Sequence, residues 1–155
     1  MKMMKWMLLV VAACGPGLGA VSEETLTDSV RDYNDGIRWQ RWDNAAAYLP
    51  QPERSKWLDD QDALAKDLKI TEYDVVRVTP KGDKEAKVQI KMSWYKANEV
   101  TVHETHAMQT WEHHGKKWVL VEEERQRGDE MPGLPEPLMK DGSASETTVS
   151  DADKK

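Results

Sequence analysis

Between residues 86 and 94 the chain alternates without a break. Ala86, Val88, Ile90, Met92 and Trp94 are apolar, and Lys87, Gln89, Lys91 and Ser93 between them are polar. Successive side chains of a strand point to opposite faces, so this stretch predicts a half-buried strand with one dry and one wet face. Such a strand needs hydrogen-bonded neighbours and an apolar cover. Three neighbours are legible. Tyr73 to Val78 is β-rich, and its alternation slips at Val75-Val76, which predicts a bulge. A third strand runs from about Val100 to Glu112 and a fourth from Lys117 to Glu124. Lys81-Gly82-Asp83 supplies the first turn. His114-Gly115 fits a two-residue hairpin turn that sets Trp111 opposite Trp118.

The cover comes from the N-terminal side. Leu26, Val30, Tyr33 and Ile37 recur at helical spacing, and Trp39, Trp42, Ala46 and Leu49 continue as a second stripe. Ser22 offers an N-cap followed by Glu23 and Glu24, and Asn34-Asp35-Gly36 predicts that the helix kinks or divides near the change of stripe. Pro50 ends this helical region, and Pro52 opens another helix running to about Lys69. At 155 residues, with 39% hydrophobic and 32% charged residues, the chain suits one domain. The expected fold is α+β, with N-terminal helices packed on one face of a curved antiparallel sheet of about four strands over residues 22–126. Residues 127–155 lack aromatics and hold three prolines and three glycines, which predicts a disordered acidic tail. The order of elements, with Tyr33-Asn34-x-Gly36 and Trp42-x-x-Ala45-Ala46-x-x-Leu49 in its helical opening, resembles the cystatin-like or nuclear-transport-factor-2-like (SnoaL-like) cone fold. That resemblance implies a pocket between helices and sheet.

The first fourteen residues read as an address. Lys2 and Lys5 precede an apolar run from Trp6 to Ala13, which is too short to span a bilayer but suits a secretory signal. Val11-Ala12-Ala13-Cys14 resembles the lipobox of bacterial lipoproteins, and Cys14 is the only cysteine of the chain. The resemblance implies removal of residues 1–13 and acylation of Cys14, with residues 14–21 as anchor and flexible tether. Acyl chains hold such a protein firmly, at about 0.8 kcal/mol per buried methylene. The expected location is therefore a bacterial membrane, with the domain facing the periplasm. Gly15 rather than Asp follows the cysteine, which favours the outer membrane. The mature chain carries 20 basic against 28 acidic residues, so nucleic acid is not an expected partner.

Candidate chemistry depends on strand register. A three-residue turn at Ala97-Asn98-Glu99 carries the dry face of residues 86–94 onto the even residues of the next strand. Glu104, His106 and Glu123 then point toward the helices as a possible acid/base group. A two-residue turn reverses this and turns all three to water. His103 and His106 face opposite sides of a strand and cannot chelate together, so no metal site is expected. No cofactor motif is present either, and acylation of Cys14 leaves no cysteine nucleophile. Most of the tryptophans are expected to fill a core that lacks Phe. Trp111 and Trp118, with Leu120, are expected to form an exposed apolar patch on the sheet face opposite the helices, where a second copy or an envelope protein could dock. The first reading is therefore a non-catalytic binding or scaffolding domain. A small-ligand or catalytic pocket using Glu104, His106 and Glu123 is the alternative.

Overall fold

The computed structural model of the protein describes residues 25–137. Ser22 and Cys14 with its signal and tether lie outside the described residues, as does the tail beyond 137. Three helices, α1 (Leu26–Arg38), α2 (Trp42–Ala46) and α3 (Arg54–Leu64), precede four strands, β1 (Leu68–Pro80), β2 (Glu85–Lys96), β3 (His103–His114) and β4 (Lys117–Gly128). The strands form one antiparallel meander in the order β1-β2-β3-β4, with the helices on one face. The α+β architecture expected from the sequence is the one observed. No described helix is long and apolar enough to cross a membrane.

Helix α1 begins at Thr25, whose Oγ1 accepts from the Asp28 amide at 3.2 Å. The helical region divides near the change of stripe, as expected, but the break lies after Arg38 rather than at Asn34-Asp35-Gly36, which stays within α1. The helix stops where Gln40 adopts a φ of 55°. The Arg41 amide then donates to the Gly36 carbonyl at 2.8 Å and the Gln40 amide to Ile37 at 3.2 Å. This is a Schellman closure with Gln in the place usually held by Gly. Gly36 serves a different purpose. A Cβ there would stand 3.0 Å from the Ala45 Cβ, so its bare backbone lets α2 cross close to α1. The break also turns Trp39 out of the second stripe, leaving it 61% exposed, while Ala46 and Leu49 stay buried.

Both edge strands are bulged. On β1 the register slips around Thr71 and again at Val76, the second as the broken alternation predicts. On β4 it slips at Val121 and at Gln126. Bulges increase local twist and curve a sheet over its cover. Strand β1 starts at Leu68, because α3 stops at Leu64 rather than Lys69.

Two connections differ from expectation. The β2–β3 link runs from Ala97 to Val102 and pairs Trp94 with His103, so the dry even face of β2 continues onto odd residues of β3. Thr105, Ala107, Gln109 and Trp111 therefore line the core, whereas Glu104 and His106 take the outer face. The β3–β4 turn consists of Gly115 and Lys116, with φ of 69° at Gly115, as a type II′ hairpin requires. It pairs His113 with Trp118 and Trp111 with Leu120.

The exposed patch expected at Trp111, Trp118 and Leu120 is accordingly not formed. Trp111 is 0% and Leu120 3% exposed, and half-buried Trp118 packs against the same core. Tyr33 meets Trp111 edge-on at 5.8 Å, an arrangement that favours aromatic pairs. The domain also extends past residue 126. Met131 and Leu134 are buried, the Arg125 amide donates to the Pro135 carbonyl at 2.7 Å, and the Arg125 guanidinium pairs with Glu136. Residues 127 and 128 complete β4, and residues 129–137 fold back as a strap beneath the helices.

Candidate functional site

Polar side chains are few on the helix-facing side of the sheet. Thr105 bonds Trp94 and the Asp129 carbonyl at one end, and the others gather at one place, around Glu123. Gln109 of β3 reaches it by the register just described. Glu123 of β4 reaches it because Val121 is the extra residue of a bulge. Leu120 opposite Trp111 already faces inward, and the inserted Val121 brings Glu123 rather than Glu122 opposite Gln109. Re-aiming a side chain in this way is a common use of a bulge.

Helix α1 supplies Tyr33 and Asn34 from above. The Tyr33 hydroxyl donates to Glu123 Oε2 at 2.8 Å, and Gln109 Nε2 donates to Glu123 Oε1 at 2.8 Å. Gln109 and Asn34 exchange hydrogen bonds, Nε2 to Oδ1 at 3.1 Å and Nδ2 to Oε1 at 3.4 Å. Asn34 Nδ2 also donates to the Val30 carbonyl, and Trp111 Nε1 to Gln109 Oε1 at 3.1 Å. Each buried amide and hydroxyl of the cluster has a partner, which makes it a rigid network rather than a defect of the core.

Glu123 retains some open surface, and that surface borders two voids. A cavity of about 60 Å³ lies between α1, α3, the sheet and the strap, with Ile37, Trp42, Leu68, Met92 and Met131 among its walls. That is room for a few water-sized groups. A wider groove of about 560 Å³ adjoins it between α3 and β4. Tyr33, Trp57, Leu64 and Glu123 line both. Leu64 touches Gly133 of the strap, where even a Cβ would collide with the Leu64 side chain. Helix α3 has no fully buried residue, so it roofs these spaces without being packed down onto the sheet.

Desolvation at this depth raises the Glu123 carboxyl above the usual glutamate range, and the bonds from Gln109 and Tyr33 oppose the shift without cancelling it. Burial and the neighbouring carboxylate together raise the Tyr33 hydroxyl well above an ordinary tyrosine.

The three acid/base candidates from the sequence are not brought together. Glu123 points toward the helices as expected, whereas Glu104 and His106 lie on the far side of the sheet. There, His106 Nε2 stands 3.4 Å from Glu104 Oε1, and Lys91 lies 3.3 Å from Asp74 and 3.9 Å from Glu104. His106 Nδ1 is buried without a hydrogen-bond partner. His103 stacks on Trp94 at 4.5 Å and bridges Glu99 and Asp129 at 3.2 and 3.1 Å. Among the described residues, no three His, Cys, Asp or Glu side chains converge as metal ligands. Tyr33, Asn34 and Gln109 escaped the sequence reading. Tyr33 lies on the expected α1 stripe and Asn34 in the expected helix break beside it, but Gln109 becomes an inward group only through the β2–β3 connection.

No protein-family model matches the chain, and no curated protein matches it. A solved structure does: the solution structure of a SEC-C motif containing protein from Rhodopseudomonas palustris. It aligns with a TM-score of 0.56 and 14% identity, over 64% of this chain and 77% of that one. The likeness is one of fold.

Proposed function

We propose that the protein is a lipid-anchored cell-envelope domain that binds a small ligand between its helices and its sheet. The observation that carries this reading is the Glu123–Tyr33–Gln109–Asn34 network bordering a cavity and groove. A small pocket with mostly apolar walls and a few fixed polar groups is the usual form of a ligand site. Burial of Trp111 and Leu120 removes the apolar patch on which a scaffolding role through the outer sheet face rested. A cone-like arrangement, helices first and meander second, fits the same reading. The lipobox around Cys14 supports the anchor, and Gly15 after it supports the outer membrane, with the domain facing the periplasm.

Native mass spectrometry of full-length protein, extracted gently from its own membranes, tests both halves. A mass beginning at acylated Cys14 is expected, together with a small-molecule adduct that Trp57→Ala reduces. A mass retaining residues 1–13 overturns the anchor. A stoichiometric protein companion without any adduct returns the domain to scaffolding.

A further inference from the structure

Among the described residues, no cationic side chain lines the space beside Glu123. Its two oxygens accept from a phenol and an amide, both neutral. Neither the cavity nor the groove has Lys, Arg or His in its lining, whereas the groove carries Glu53, Asp60 and Glu122 besides Glu123. Of these, Asp60 pairs with Lys56 on the solvent side at 2.5 Å, and Glu122 accepts from Thr110. The wall around Glu123 is aromatic. Tyr33 and Trp57 stand 6.5 Å apart with planes at 41°, and Trp42 meets Trp57 edge-on at 6.3 Å. Among the described residues the recorded cation–π contact is Arg38 over Trp39, and Trp39 lines neither void.

From the unpaired carboxylate, the aromatic walls and the acidic groove we infer that the site takes a small organic cation, its ammonium group held between Glu123 and the faces of Trp57 and Tyr33. This inference rests on the pocket reading above and names the ligand class. Among the described residues an anion would meet four carboxylates, and Lys56, the positive charge that pairs with one of them, lies on the solvent side of Asp60. A neutral apolar ligand would suit Ile37, Leu68 and Met92 but would leave Glu123 desolvated without a counter-charge. An alkylammonium satisfies both, because aromatic faces attract cations and the carboxylate supplies the opposite charge. The raised Glu123 carboxyl agrees with this, since its ionised form lacks compensation until a cation arrives.

Choline and 3,3-dimethylbutan-1-ol form the test pair, because they have the same shape and differ in charge. Tryptophan fluorescence and calorimetry on the full chain are expected to show choline binding about tenfold or more tighter than the alcohol. Glu123→Gln is expected to abolish that preference. Trp57→Leu, on the loosely packed α3, keeps apolar bulk and should weaken choline while sparing the alcohol. Choline affinity should rise with pH as Glu123 ionises. The other titratable groups around it are Tyr33 above and Glu53, Asp60 and Glu122 along the groove. Glu123→Gln separates its part in the rise from theirs: a rise unchanged in that variant assigns the cation to the groove carboxylates and overturns the role of Glu123.

Equal binding of the two probes, lost together in Trp57→Ala, overturns the cation inference and leaves the pocket standing. Failure of both choline and butylammonium to bind at millimolar concentration also overturns it. In that case an adduct in the native mass spectrum still decides whether the pocket is a binding site.

Discussion

The two faces of the sheet handle charge in opposite ways. On the outer face the carboxylates Asp74 and Glu104 have Lys91 nearby, and Glu104 also meets His106. On the helix side Glu123 accepts from two neutral donors, and among the described residues no cationic side chain lines the space beside it. The same four strands therefore hold carboxylates beside cations on one side and, among the described residues, a carboxylate without one on the other. An outer-face ion pair is complete without a ligand. The inner carboxylate is held in shape by Tyr33 and Gln109 and left available for a partner's charge.

The largest effect that could break this comparison belongs to the inner face. Trp111→Ala is expected to destabilise the domain by about 3–5 kcal/mol in urea unfolding, as removal of a fully buried indole does. Met108→Ala, half-buried on the outer face of the same strand, should cost about 1 kcal/mol. Near-equal costs would mean that the faces are not distinct. The strap should follow in size. Gly128 has a φ of 89°, and a Cβ there would collide with the Glu104 carbonyl. Gly128→Ala should cost about 2 kcal/mol through strain and displacement of the strap. Tryptophan fluorescence during unfolding reports both.

Much of this fold is legible in the sequence, because alternation and helical stripes state which residues are dry. The β2 face, the α1 face and the bulge at Val76 all follow from pattern. The site does not, because it depends on parity. Six residues between β2 and β3, rather than three, exchange the faces of β3, moving Glu104 and His106 out and Gln109 in. One extra residue at Val121 decides that Glu123 turns inward. Composition also hides the strap, since Met131 and Leu134 are isolated apolar residues in a polar stretch. Neither forms a period that could mark it as core. Local pattern determines burial within a strand, whereas turns and bulges determine how one strand's faces align with the next.

Titration sharpens the comparison at intermediate size. Glu123 is raised by desolvation, whereas Glu99, in the β2–β3 connection, is lowered chiefly by its hydrogen bond with His103. For Glu123 the folded protein holds the proton more tightly than the unfolded chain. Its contribution therefore favours folding at low pH and is lost as pH rises from the ordinary glutamate value through the raised one. Glu99 acts in reverse, favouring the fold above its ordinary value and ceasing to as pH falls through the lowered one. Carboxyl carbon NMR should show Glu123 titrating after the bulk of the glutamates and Glu99 before it. Glu123→Gln should remove the loss of stability on the alkaline side of about pH 4.5. An unchanged pH profile in that variant would mean that solvent reaches the carboxylate freely.

The smallest expected effect tests the outer face on its own terms. Glu104 is 57% exposed, and its contact with Lys91 spans 3.9 Å. A pair so exposed gains little, because water screens both charges and two long side chains must be held in place. Glu104→Gln and Lys91→Met, combined in a double-mutant cycle, should give a coupling of about 0.5 kcal/mol or less, falling further in 1 M salt. A salt-resistant coupling of several times that size would mean that the outer carboxylates are buried in the working protein, and so that something covers this face. The contrast between the faces would then lie in what binds each of them rather than in whether their charges are compensated. A small, salt-sensitive value leaves Glu123 as the carboxylate whose charge the fold places under the helices with no counter-ion among the described residues.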